Sequence, residues 1–201
     1  MKHPQIPLDY LTTFRTFVQQ KVILSDAEWQ HTASLLDCIT IPTETLLLRE
    51  GQICTSLYFL NEGLVRFFVI GADGKETTKF FTLKHQLFTS QQSFSTQSPA
   101  REQIETLEDS SFLVLSYTAL QDLYHKIPQW HIFIRRVLQE VNSMTEKIYM
   151  DSITITAEER YRKMLLEEPE IMLRAPLKHI ASYLGITPES LSRIRKKIAG
   201  E

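Results

Sequence analysis

Cysteine is scarce in this 201-residue chain. Cys38 and Cys54 are the only two, too few for a disulfide framework and too few to hold an iron–sulfur cluster by cysteine alone. Both are expected to be small core fillers. Histidine occurs at 3, 31, 85, 125, 131 and 179, never as HxH, HExxH or HxxxH, so no metal site is expected. No run approaches the roughly eighteen apolar residues of a membrane span. The opening residues, MKHPQIPLDYLTT, contain neither an apolar core nor a small-residue cleavage site, and a cytoplasmic location is expected. Internal repeats and low-complexity tracts are also missing. With 43% hydrophobic residues and a net charge of −2, the chain has ample material for a core and none of the signature of disorder.

The apolar pattern changes period twice. Leu8, Leu11, Phe14, Phe17 and Val18 keep helical spacing after Pro7, and Ser25 with Glu28 forms a capping box opening a second helix. From Ile39 to Leu115 the period is that of strands. Glu50-Gly51, Glu62-Gly63 and Ala72-Asp73-Gly74 punctuate runs such as SLYFL, GLVRFFVI and TTKFFTL, which predicts an antiparallel barrel or jelly roll. The stretch TSQQSFSTQSPARE reads as a polar loop anchored by Phe94. Helical spacing resumes at Ser116, with a short helix over 118–126. A long helix then runs from Pro128 to about Asp151, its stripe Ile134, Leu138, Val141, Thr145 and Ile148 close to a coiled-coil seam. A hinge is expected near Ser152. Thr156 with Glu159 caps the next helix, which uses Tyr161, Met164 and Leu165 and ends at Pro169. The expected organisation is α+β: a sensor domain over 1–127, the long helix and hinge over 128–152, and an all-helical end over 153–201.

That end, APLKHIASYLGITPESLSRIRKKIA over 175–199, reads as a helix-turn-helix. Leu177, Ile180, Ala181 and Leu184 line the first helix, Gly185 closes it, Thr187 caps the second, and Pro188 takes its first position. Leu191, Ile194 and Ile198 form the inner stripe of the second helix. Glu189, Ser190, Ser192, Arg193, Arg195, Lys196 and Lys197 lie opposite, short polar groups first and cations further on, as a major-groove reader requires. From Arg174 onward six Lys/Arg, among them Lys178, face two acids, a net of +4, so the first 173 residues carry −6. Clustered cations on an acidic body make a local phosphate footprint.

The order of roll, seam helix, capped helix and helix-turn-helix resembles the Crp/Fnr family of bacterial transcription regulators over nearly the whole length. The carriers are LLLREGQICTSLYFLNEGLVRFF, GADGKETTKFFT, IETLEDSSFLVLS, TAEERYRKMLLEEPEI and IASYLGITPESLSRIRKK, the last two resembling small members from Bacteroidetes-like bacteria. The resemblance implies a cyclic-nucleotide-binding-like roll and a homodimer paired along the long helix. It also implies two recognition helices in successive major grooves of double-stranded DNA about 34 Å apart, a palindromic operator, RNA polymerase as a partner, and no enzymatic activity. By the family pattern Glu189 and Arg193 read bases, and Thr187 and Ser190 touch phosphate. Pro188 stands where an arginine is frequent, so the operator is expected to differ from that of the cyclic-AMP receptor.

The chain departs from the family at its ligand positions. The Gly-Glu pair that holds the ribose falls on Thr89-Ser90, and the Arg-Ser pair that neutralises the phosphate falls on Ala100-Arg101. A one-residue shift in a strand turns the side chain to the other face. Cyclic AMP is therefore not expected in the standard mode, and no cofactor is assigned. Arg101 with Ser90 and Thr89 is the candidate anion contact, unless Arg101 is a solvated loop residue. The N-terminal cysteines of the iron–sulfur relatives and the ligand histidine of the haem-sensing ones have no counterpart. The chain stops at Glu201, just past the recognition helix, so a full β-wing is expected to be missing. Two other readings are an effector-binding module with a vestigial helix-turn-helix and a cupin-like metal enzyme. The second is disfavoured because His85 is the only histidine in the roll segment.

Overall fold

A computed structural model describes residues 6–200; Glu201, on which the expectation of a missing wing turns, lies outside them. Helix α1 (Leu8–Gln19) turns Phe14 and Val18 inward and leaves Leu8 exposed. In α2 (Asp26–Ser34) the capping box is closed: the Ser25 hydroxyl accepts from the Glu28 N–H, and the Glu28 carboxylate accepts from the Ser25 N–H at 2.7 Å.

Among the described residues eight strands follow: β1 (Asp37–Ile41), β2 (Leu46–Leu48), β3 (Ser56–Glu62), β4 (Val65–Ile70), β5 (Glu76–Thr82), β6 (Leu87–Phe88), β7 (Gln103–Thr106) and β8 (Ser110–Ser116). They make two antiparallel sheets, ordered β1-β8-β3-β6 and β2-β7-β4-β5, which face each other as the expected roll. The chain changes sheet at Gly63. Its φ is +109°, and a Cβ there would stand 2.1 Å from the Ser110 hydroxyl oxygen, so a side chain has neither the backbone geometry nor the room.

Two local readings are corrected. The polar stretch after Phe88 holds a short helix, α3 (Gln91–Thr96), with Ser93 and Phe94 buried. One apolar residue in six gives no periodicity to read, and tertiary burial of Phe94 decides the conformation. Pro169 does not merely end a helix. It opens another, α7 (Pro169–Arg174), because proline is tolerated at a first helical position, where no intrahelical N–H bond is lost.

Between these lie α4 (Tyr117–Lys126), α5 (Gln129–Thr154) and α6 (Ala157–Glu167), the last capped by Thr156 and Glu159 as read. Helix α5 extends three residues past the expected Asp151, so the chain turns at Ile155 rather than near Ser152. Only its first half is packed, through Trp130, Phe133 and Val137. The chain ends in α8 (Leu177–Tyr183) and α9 (Pro188–Ala199).

Among the described residues there are two apolar cores. The larger joins α1, the roll, α4 and the start of α5. The smaller draws Leu64 and Phe81 from the roll into one cluster with Tyr161, Met164, Ile171, Ile180, Leu184 and Leu191 of the C-terminal helices. Burial at about 25 cal/mol per Å² of apolar surface makes such a shared cluster a joint between the two parts.

Candidate nucleic-acid interface and sensor cleft

The C-terminal pair has a helix-turn-helix geometry. Ile180, Ala181 and Leu184 of the first helix are at most 1% exposed, and Gly185 at φ +68° closes it while the Ile186 N–H reaches back to the Ala181 carbonyl at 3.0 Å. Leu177, expected on this inner face, is 45% exposed, and His179 takes an inner position instead. In α9, Leu191 is buried and Ile194 and Ile198 are half-buried, while Leu165 of α6, also expected inside, lies at the surface.

The opposite face of α9 presents Glu189, Ser192, Arg193, Arg195, Lys196 and Lys197 to solvent. Its first turn is knitted together: the Thr187 hydroxyl accepts from the Ser190 N–H at 3.2 Å, and Arg193 donates to the Ser190 hydroxyl at 3.0 Å. Its own backbone N–H, then the Thr187 hydroxyl, hold the Glu189 carboxyl below its ordinary range, so it stands ionised at the helix start. Lys197 is paired with Glu158 of α6 at 2.9 Å. Lys178 sits beside the roll, where its charge acts on Glu105 and His179. The structure therefore gathers Thr187, Glu189, Ser190, Ser192, Arg193, Arg195 and Lys196 on one helix surface and gives Lys178 and Lys197 intramolecular surroundings.

A second constellation was missed by sequence reasoning. Arg66, in the middle of the apolar run of β4, is 1% exposed. It donates to Glu105 at 2.6 Å, to Glu76 at 2.6 Å and, across the boundary between the two cores, to His179 Nδ1 of α8 at 2.6 Å, while its guanidinium lies 4.0 Å over the Phe68 ring. Alongside, the Thr78 N–H donates to the Ser182 hydroxyl at 2.9 Å, and that hydroxyl donates to the Glu76 carbonyl at 2.8 Å. Arg174 adds a bond to the Gly63 carbonyl and an ion pair with Glu108, at 2.7 and 2.6 Å. The signal was an arginine inside an otherwise apolar strand, since a buried charge must be paired.

Burial, then the positive charges of Arg66 and Lys178, push the His179 imidazole down from 6.5 to about 4. His179 is therefore neutral in the folded protein at ordinary pH and accepts from Arg66. The unfolded chain binds the extra proton over the window between those two values. Stability is thus complete above about pH 6.5 and falls on acidification toward pH 4, by up to about 3 kcal/mol. Glu105 opposes this in part, because burial raises its carboxyl and favours its protonated form in the fold. Urea unfolding of the native chain is expected to lose stability more steeply over that window than His179→Gln; equal slopes would exclude the imidazole as the cause.

At the expected ligand positions the groups are already engaged. Thr89 donates to the Ser56 carbonyl at 2.9 Å, and Ser90, 2% exposed, donates to Glu102 at 2.9 Å, whose other oxygen holds Lys79. Arg101 is exposed and is not brought to Ser90 or Thr89 by any bond in the structure. Beside them a cleft of about 540 Å³ opens between the roll and α5. Of the seam stripe, Ile134 and Val141 rest against the larger core, Leu138 and Ile148 are half-buried, and Thr145 is exposed. Cys54 is buried and Cys38 half-buried. Among the described residues no three His, Cys, Asp or Glu side chains gather as a metal site, and no helix is long and apolar enough to cross a membrane.

Residues 38–126 match the cyclic nucleotide-binding domain. The anaerobic regulatory protein of Aggregatibacter actinomycetemcomitans is 28% identical over 182 residues, 82% of this chain and 70% of that protein. The Haemophilus influenzae protein of the same description is 26% identical over 77% of this chain and 63% of its own length. FixK2 from Bradyrhizobium japonicum superposes with a TM-score of 0.73 at 19% identity, covering 82% of this chain and 85% of that one. A transcriptional regulator of the Crp/Fnr family from Eubacterium rectale does so at 0.70 and 17%, covering 88% and 84%. The chain is thus similar to regulators of the Crp/Fnr family, in sequence over its cyclic nucleotide-binding domain and in fold over most of its length. The family is one of transcription regulators rather than enzymes, and its members bind DNA and usually act as dimers. At these identities the solved structures speak for the fold alone.

Proposed function

We propose that this protein is a cytoplasmic, homodimeric transcription regulator that reads a palindromic operator with α9. RNA polymerase is its downstream partner, and its roll does not use cyclic AMP in the standard mode. The division into a sensor over 1–127, a pairing helix over 128–152 and a reading end over 153–201 belongs to this proposal. The observation that carries it is the exposed face of α9, with ionised Glu189, Ser192 and Arg193 ahead of Arg195 and Lys196, on a helix fixed from behind by Leu191. Pairing through Ile134, Leu138, Val141, Thr145 and Ile148 is supported by the distal half of α5, which is scarcely packed and leaves Tyr149 62% and Ile153 61% exposed. Arg193 takes guanine O6 and N7, Glu189 accepts from cytosine N4, and Thr187, Ser190, Arg195 and Lys196 hold phosphate, with Lys178 and Lys197 contributing once released from their internal partners.

The test is sequence selection on random DNA followed by gel shifts. Arg193→Ala is expected to weaken specific binding by about 1–3 kcal/mol and to relax one operator position, whereas Lys196→Ala weakens all sequences alike and lowers the salt slope. Failure of the intact chain to prefer any sequence over random DNA sinks the proposal.

A further inference from the structure

We propose, resting on the regulator reading above, that the cleft between the roll and α5 takes an uncharged, largely apolar small molecule rather than a cyclic nucleotide. The cleft's floor is Leu57 and Phe88 of the roll, its far wall is Phe94 of α3 with Tyr117 of α4, and its roof is Val137 and Val141 of α5. At about 540 Å³ it falls within the size of ordinary small-molecule sites, roughly 300–1,000 Å³.

Charge decides the ligand class. Among the residues lining the cleft one side chain is charged, Glu140, and both its oxygens accept from Lys21 Nζ at 2.6 Å. A cyclic phosphate entering here would meet no cation among the lining side chains, the nearby Lys21 and Lys79 being paired with Glu140 and Glu102, and burying an unpaired anion among aromatic rings is strongly unfavourable. The polar groups at the family's nucleotide positions are closed off: Ser90 is held by Glu102, Glu102 by Lys79, and Thr89 by the Ser56 carbonyl. An uncharged molecule loses nothing by this and gains the aromatic contacts, with the Gln121 amide at the wall to orient a carbonyl or hydroxyl.

The roof connects the site to the output. Val137 lies on α5 beside Leu138 and Val141 of the seam proposed above for pairing, so an occupant and a partner helix would meet along this face, on the helix whose far end leads into α6 and the smaller core. An occupant presses on that helix directly, so its binding energy is available to favour one setting of α5 over another.

The full chain, with its oligomeric state fixed by sedimentation, is titrated with the uncharged dye Nile red. Two variants at the cleft edge change little packing: Ser95→Trp, which fills the mouth from the exposed face of α3, and Gln121→Lys, which introduces a cation. The expected result is saturable binding of one dye per chain, no displacement by cyclic AMP, and affinity weaker by about tenfold or more in each variant, with unchanged thermal unfolding. If one variant misfolds, the other carries the comparison. No dye binding by the intact chain, which is what a second copy's α5 filling the cleft would give, overturns the inference. So does unchanged affinity in a folded variant, and so does displacement by cyclic AMP. Operator gel shifts run on the same protein separate the two claims: specific DNA binding without dye binding removes only the ligand class, whereas loss of sequence preference removes the regulator reading.

Discussion

Arg66→Met is expected to destabilise the protein by about 3–5 kcal/mol, far beyond the loss of one hydrogen bond. The guanidinium is 1% exposed and bonds Glu105, Glu76 and His179 together. Removing it strands the Glu105 carboxylate, 17% exposed, with Glu76 as a like-charged neighbour and Lys178 as the remaining cation nearby. The cost is the uncompensated charge and not the absent contact. Arg66→Met with Glu105→Gln should therefore recover most of the loss, since apolar or neutral groups of similar volume replace buried ion pairs with little penalty. Urea unfolding of the full chain reads both values. The same single variant should also raise amide exchange in α8, because its bond to the roll through His179 is gone. A loss under about 1 kcal/mol, or a double variant no better than the single one, contradicts this account.

Trp130→Ala is expected to cost about 3–5 kcal/mol as well, by a different route. The indole is fully buried, its ring centroid 5.0 Å from that of Phe133, and its Nε1–H donates to the Thr32 hydroxyl at 3.2 Å. Thr32 keeps its other bond, to the Glu28 carbonyl at 2.9 Å, so the loss is mostly cavity and packing. Trp130 is the point where α5 is fixed to α2 and the roll, and the rest of α5 has few buried residues to hold it. The variant should accordingly weaken the pairing proposed for α5 as well as stability. Chemical unfolding and sedimentation measure the two effects, and Trp130→Phe, which refills most of the space, should restore both. A Trp130→Ala chain that keeps native stability would show the cavity to be collapsed by relaxation.

Much of this was legible in the sequence for local reasons. The capping boxes at Ser25 and Thr156, the left-handed Gly185 and the cap at Thr187 each involve residues within a few positions of one another, and all form as read. The roll was legible because strand periodicity and turn glycines recur at short spacing. What escaped was decided over long separations. Phe94 makes a helix of a polar stretch through its burial, and Arg66 meets His179 across 113 residues. Leu177 fits the apolar spacing of its helix yet faces solvent, since which side of a short helix is inside depends on the partner it meets. The α9 surface was legible because it is written in one segment; the cleft was not, because its walls come from β3, β6, α3, α4 and α5.

The smaller apolar cluster bears on how the chain is taken apart. Leu64 is 0% exposed and Phe81 8%, and the side chains that cover them come from the last fifty or so residues. A cut near residue 152 would follow the gap between elements and still pass through a single interior. One fragment would keep the roll with Leu64 and Phe81 uncovered, and the other would keep helices whose inner faces lack a floor. The C-terminal helices are thus not a passenger on a flexible tether. Their core is complete only with the roll beneath them, so a truncated product would lack part of the packing that stands behind α9.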